Sequence, residues 1–286
     1  MKIDAEYDSA IPIIENWLKT QLHLPQNIDH IILKRFIYSC QGDVEKTKAL
    51  IDLNYTMRTN YSNIFLQRDP CSDEAVKVLQ TTDMLILPGV TPSGNKLLFY
   101  RLVDLNPENF AFTESIKMFF MFADLRFIVP DPNGISSGEV PIFDMAGFSL
   151  KHLTRVVMSS LRVYMKFTQE AHPVRLKEIH VINCPSYLDK VLMIVKPFIK
   201  SEVFKLVKFH IPDSDTFYKY VPKEMLPNEY GGVAGDIKSI KEKWIALLKD
   251  YRHYLSNEKN WKVNEQLRKS SKNTTFVDSF KTLEID

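Results

Sequence analysis

Chemistry in a chain begins with side chains that move protons, hold metals or attack carbon. Seven histidines are present, but His152, His172, His180 and His210 stand at no metal-ligand spacing, and there is no HExxH pair. Gly134-Ile135-Ser136-Ser137-Gly138 matches GxSxG, but it precedes an expected strand instead of joining a strand to a helix, so it does not read as a nucleophile elbow. Cys40, Cys71 and Cys184 lack CxxC spacing, which argues against a zinc site or a disulfide framework and for a reducing compartment. The run Gly231-Gly232-Val233-Ala234-Gly235 lacks the spacing of a dinucleotide or P-loop phosphate cradle. The expectation is a protein without catalytic residues, metal or cofactor.

Apolar volume is what the sequence has in excess. It holds 18 Phe, 12 Tyr and 10 Met, which either fill a core or line a large apolar cavity, since small-molecule sites are built from such residues. Of 286 residues, 45% are hydrophobic and 25% charged, which excludes a disordered or fibrous chain. Lys plus Arg is 37 against 35 for Asp plus Glu, so no whole-molecule field attracts nucleic acid. No window reaches the ~18 uncharged apolar residues of a spanning helix. The opening Met1-Lys2-Ile3-Asp4 has no apolar leader. A cytoplasmic, monomeric protein is expected.

The elements that would position these residues fall into three parts. Over 1–82, Ile11, Ile14, Leu18 and Leu22, then Ile28, Ile31, Ile32 and Phe36, then Val44, Thr47, Leu50 and Ile51 recur at helical spacing, with Asp43 an N-cap. Over 83–256, strands at Met84–Leu87, Lys96–Val103, Val140–Met145, Glu178–Asn183 and Leu206–His210 alternate with helices. Those helices are expected at Thr113–Val129, Ser149–Glu170 and Tyr187–Phe198, with a last one from Asp236 to Leu255. That alternation predicts an α/β fold with a mostly parallel sheet behind an all-helical N-terminal bundle. Residues 257–286 read as a polar tail.

Three segments carry a family resemblance. Ile142-Phe143-Asp144-Met145-Ala146-Gly147 ends a strand with aspartate, two residues and glycine; His172-Pro173-Val174-Arg175-Leu176-Lys177 leads into Ile179-His180-Val181-Ile182-Asn183; and Leu226-Pro227-Asn228-Glu229-Tyr230-Gly231-Gly232 closes the domain. In this order they resemble the CRAL-TRIO lipid-binding family, whose helical leading segment matches residues 1–82. The physical reading beside it is structural: Asp144 locks a strand-to-helix turn, and Gly231-Gly232 make a tight turn before a helix capped by Asp236.

The resemblance implies a carrier for a small hydrophobic ligand such as a tocopherol, retinoid, carotenoid or other isoprenoid. Its cavity would be lined by Met118, Phe122 and Leu125 on one helix, Leu161, Tyr164 and Phe167 on the next, and Phe143, Phe148, Leu150, Ile179 and Val181 around the sheet. A mobile gate would supply Val191, Ile194 and Phe198, continuing into Val203 and Val207. Lys196, Lys200, Lys205 and Lys208 would form a basic rim for transient contact with an anionic membrane surface. Arg175 and Lys177 match basic positions of the family's phosphoinositide site. Glu202 and Leu206 stand where phosphoinositide-binding members carry basic residues, so half of that site is missing or relocated. Phospholipid transfer, or membrane docking without a stoichiometric ligand, are the alternatives.

Overall fold

The computed structural model describes residues 7–269. Five helices come first: α1 (Ile11–Leu18), α2 (His30–Ser39), α3 (Val44–Asn60), the single turn α4 (Ser62–Phe65) and α5 (Asp73–Thr81). Asp29, Asp43 and Ser72 start α2, α3 and α5, each accepting a free backbone N–H of the first turn with its side chain. Ile14, Ile32, Phe36, Ile51 and Tyr55 close their common core. The first helix is shorter than its apolar spacing suggests: it ends at Leu18, and Leu22 is 54% exposed.

Next come β1 (Thr82–Ile86), β2 (Asn95–Leu102), α6 (Phe112–Ile128), β3 (Gly138–Asp144), α7 (Leu150–Leu153) and α8 (Met158–Glu170). They are followed by β4 (Ile179–Ile182), α9 (Leu188–Val195), α10 (Ser201–Phe204), β5 (Val207–Phe209), α11 (Ile237–Asp250) and α12 (Arg252–Ser256). The five strands lie in sequence order, β1 antiparallel to β2 and the rest parallel. This order decides the layers. Crossovers between parallel strands are right-handed, and a sheet that always winds in one direction therefore puts every crossover helix on the same face. That face receives α6, α8 and α9. The opposite face, carrying Leu85, Leu97, Phe99, Val140 and Ile142, is covered by Phe217, Val221, Leu226, Ile237 and Ile240 of the C-terminal region.

Several boundaries differ from expectation. The helix expected over Ser149–Glu170 is two, because Val157 stands in extended conformation ahead of α8 after the β-branched Val156. The last helix breaks at Tyr251 into α11 and α12. The gate helix stops at Val195 and tightens into a 3₁₀ turn over Lys196–Phe198, where Pro197 has no N–H to continue the α ladder. Residues expected to begin a polar tail instead pack: Trp261 and Val263 are buried in the N-terminal core, Val263 N donates to Thr59 Oγ1 at 2.9 Å, and Arg268 grips Asp52 at 2.8 Å. The remainder, 270–286, lies outside the described residues.

At the C-terminal end of the parallel strands, Asp144 Oδ1 accepts from Ala146 N and from Asn183 Nδ2, both at 2.8 Å, while Tyr230 OH donates to Oδ2. Glu229 accepts from Ile237 N at 3.0 Å. A Cβ on Gly232 would lie 1.9 Å from Leu226 O, so the closing turn admits no side chain there. Two of the three recognisable segments thus fasten the last helix to the sheet.

Candidate ligand cavity

Strand register sorts the side chains between the two faces. Phe99, Ile142, His180 and Lys208 are level across four strands, as are Tyr100, Phe143, Val181 and Phe209. The first row points away from the crossover helices and the second toward them. On β4 the outward row is closed, with His180 0% and Ile182 6% exposed. On the helix side, Ile179 and Val181 are only half-buried, as are Phe143, Val207 and Phe209. An apolar sheet face beneath crossover helices is expected to be shut, and this one is only partly covered.

On that side of the sheet lie the crossover helices α6, α8 and α9. From α6 comes Phe119, its ring 5.5 Å from Tyr100 and 5.0 Å from Tyr164 of α8. Tyr100 stacks on Phe143 at 5.1 Å and 20°. Burial drives both phenols well above the ordinary tyrosine range, so they are neutral hydroxyls, and neither makes a hydrogen bond to another described residue. α9 has no fully buried residue: Val191 and Ile194, with Phe198 and Val203 beyond it, are half-buried, and Met193 is 76% exposed.

The gate segment is pinned at its two ends. At the start, Tyr187 OH donates to Phe148 O and Cys184 N donates to His210 O at 2.9 Å. At the finish, Gln169 of α8 is the latch. Its Nε2 donates to Phe198 O at 2.9 Å and its Oε1 accepts from Lys200 N at 2.8 Å.

Of the expected lining, Phe143, Ile179, Val181 and Val207 lie on the helix-side sheet face, and Tyr164, Val191, Ile194, Phe198 and Val203 lie half-buried on the segments that cross over it. Others lie elsewhere. Met118, Phe122 and Leu125 are closed in the core that α6 shares with the N-terminal helices. Phe167 packs with Phe65 and Phe120 on the far side of α8. Leu161 is buried at 4%, whereas Leu150 is 40% exposed on the single-turn α7. Phe148 is half-buried, stacked on His152 at 5.1 Å. Phe119, Tyr100 and Phe209, which sequence reasoning did not assign to the lining, adjoin this partly covered face. Period-two alternation along β2 and β5 would have supplied the latter two.

The basic positions also divide. Lys208 faces away from the gate: it shares a row with His180, pairs with Glu178 at 3.7 Å and caps the Tyr220 ring at 4.4 Å. Lys200 pairs with Glu170 at 2.9 Å, and Lys196 lies 5.2 Å from the Phe204 ring. Lys205 is exposed just before β5, and Lys177 is exposed just before β4. Arg175 lies on the Tyr38 ring at 3.9 Å, its Nε and Nη2 without acceptors.

The buried histidines behind the sheet form a relay. Glu178 Oε2 faces His180 Nε2 at 3.1 Å, His180 Nδ1 faces His210 Nε2 at 3.0 Å, and His210 Nδ1 faces Thr216 Oγ1 at 2.8 Å. A carboxylate only accepts, so His180 donates to Glu178, accepts from His210, and His210 accepts from Thr216. Burial pushes His180 down to about 4 against the opposing pull of Glu178. Among the described residues no helix is long and apolar enough to cross a membrane, and no group of three or more His, Cys, Asp or Glu side chains could hold a metal.

Comparison with known proteins agrees with this geometry. Residues 80–232 match the CRAL/TRIO domain model and residues 3–75 the Pinta-like UBA domain model. "Alpha-tocopherol transfer protein-like" from Homo sapiens is 26% identical over 227 residues, covering 79% of this chain and 64% of that protein; the Mus musculus protein gives the same figures. This chain thus spans less than two thirds of their length. Clavesin-1 from Rattus norvegicus is 26% identical over 149 residues, 51% of this chain and 42% of its own. The crystal structure of Sfh5 superposes with a TM-score of 0.53 at 14% identity, over 87% of this chain and 98% of that one, which shows a shared fold. With the matched model spanning more than half of the residues, and the sheet and closing turn in place, the chain belongs to the CRAL/TRIO family.

Proposed function

We propose that the protein is a non-enzymatic carrier that encloses a small hydrophobic ligand between the helix-side sheet face and α9, and transfers it between membranes. The observation that carries this reading is the apolar set Phe143, Ile179, Val181 and Val207 on the helix-side sheet face, with Val191 and Ile194 on α9, none of it fully buried. A ligand of ~20 apolar carbons loses roughly 0.8 kcal/mol per CH₂ on entering water; a lining of this kind removes that barrier by replacing one apolar medium with another.

Ligand class follows from polarity. The lining offers two neutral phenols, Tyr100 and Tyr164, and no charged side chain among the residues gathered above. That suits a lipophile with one hydroxyl or carbonyl, such as a tocopherol or another isoprenoid, better than a phospholipid with a charged headgroup. The names of the tocopherol-transfer-like relatives point the same way. Release would occur where the exposed Met193 and the flanking Lys196 and Lys205 meet an anionic bilayer, with Arg175 and Lys177 as further phosphate contacts.

The test is native mass spectrometry of the purified chain with extraction and identification of what is bound. A near-stoichiometric lipophile is expected, and Val181→Trp, which fills the space, is expected to lose it without lowering the melting temperature. A chain that takes up nothing from a panel of tocopherol, retinal and phosphatidylinositol would refute the proposal.

A further inference from the structure

A cavity of about 370 Å³ lies at the other edge of the sheet. It opens where α2, the β1–β2 turn, the end of α6, the loop before β3 and α11 converge. None of its lining residues belongs to the apolar set above. Ile86, Leu87, Val129, Trp244 and Leu247 give it an apolar floor, and four cations reach it: Arg35, Lys96, Arg126 and Lys243.

Only two carboxylates oppose them, and both are engaged. Asp131 accepts from Lys96 Nζ at 2.6 Å and from Asn133 N at 2.9 Å; burial resists its ionisation, but these donors hold it below the usual carboxylate range. Glu139 faces Arg126 Nη2 at 2.6 Å. Arg35 is turned to the end of α6, donating to the carbonyls of Arg126 and Phe127 at 3.2 and 3.0 Å, and so offsets the negative pole of that helix. What remains is positive. Arg126 is 7% exposed, and its Nε has no acceptor, a costly state for a buried charged donor. Lys243 is exposed on α11 and has no ion-pair partner among the described residues.

We propose that this cavity binds a phosphate-bearing anion with a small apolar body, its phosphate held by Lys243 and the free Nε of Arg126, its body on Trp244 and Ile86. A guanidinium edge with a free donor suits a phosphate oxygen. The volume, at the low end of small-molecule sites (roughly 300–1,000 Å³), admits a headgroup or a free organic phosphate and excludes an acylated lipid in full. Because the walls come from α2, the sheet and α11, an occupant would clamp the N-terminal bundle to the lipid-binding region.

The probe is phenyl phosphate, titrated into the full chain and followed by ³¹P line broadening and Trp fluorescence, beside co-sedimentation with phosphatidylcholine vesicles with and without a phosphatidylinositol monophosphate. Lys243→Glu is expected to weaken binding by about tenfold or more, while Lys249→Glu, exposed on the same helix but outside the cavity, leaves it unchanged. Loss of phenyl phosphate binding identifies a free organic phosphate as the ligand source. Loss confined to the phosphoinositide vesicles identifies a lipid headgroup. Affinity for both probes indifferent to Lys243→Glu overturns the proposal, as does a wild-type chain that binds neither.

Discussion

The latch at Gln169 gives the carrier reading its sharpest quantitative consequence. Gln169→Ala removes two hydrogen bonds between α8 and the end of the gate, to Phe198 O and from Lys200 N, at 2.9 and 2.8 Å. Each is worth about 0.5–1.5 kcal/mol net, so the closed gate loses about 1–3 kcal/mol. If ligand exit requires this contact to open, the off-rate rises by roughly five- to 150-fold. The Lys200–Glu170 pair survives, but with side chains 44% and 30% exposed it restrains little. Gln169→Glu keeps the acceptor for Lys200 N and loses the donor to Phe198 O, so its off-rate belongs between wild type and the alanine variant on a logarithmic scale. The assay loads the protein with a fluorescent tocopherol analogue and follows its transfer to acceptor vesicles carrying a quencher. Off-rates identical in all three proteins, at equal melting temperatures, would show that the gate does not part from α8 at residues 198–200.

Three further outcomes are expected. Asp124 takes Arg58 through two bonds at 2.9 and 2.6 Å and Arg68 at 2.7 Å, all buried; Asp124→Ala leaves two guanidiniums uncompensated and costs about 3–5 kcal/mol in denaturant melts. For His172, pushed down to about 3 by burial first and then by Arg126, and for His180, pushed down to about 4, the unfolded chain binds protons more readily than the folded one. Their contribution is therefore complete above about pH 6.5 and is lost as pH falls toward 4. A melting temperature that stays flat over that range would contradict it, and His172→Phe should shallow the slope. Trp261→Ala, removing a 4%-exposed ring, should cost about 3–5 kcal/mol, with proteolysis of the segment after Asn257 as its second readout.

Much of the architecture was legible. Asp43, Ser72 and Asp236 announce helix starts with a mechanism, and alternation over Lys96–Val103 and Val140–Met145 marks strands because the sheet buries two faces of different character. The segments around Asp144 and Tyr230 were read as structural and are so, being hydrogen-bonded to one another. Which face of α6 meets the helix-side sheet face was not legible: the helix is apolar all round, so periodicity carries no direction, and Phe119, between Met118 and Phe120, differs from them only in its neighbours. Lys208 misled for a related reason. In a three-residue strand one position decides the side, and the pairing Val207↔Ile179 comes from tertiary register.

Trp261 packs its ring 4.8 Å from the Arg58 guanidinium and 5.0 Å from that of Arg68, joining residues far apart in sequence. Synthesis from the N-terminus delivers α1–α5 long before this ring emerges. The Asp124 carboxylate that neutralises both arginines follows with α6, but the indole that covers them is made only near the end of the chain. The early helices cannot complete their burial co-translationally, and the loop to be closed spans most of the chain, which slows folding and prolongs exposure of apolar surface. Pulse-labelled chains stalled short of Trp261 should therefore recruit holding chaperones at the N-terminal segment, and lose them only once that residue has cleared the ribosome.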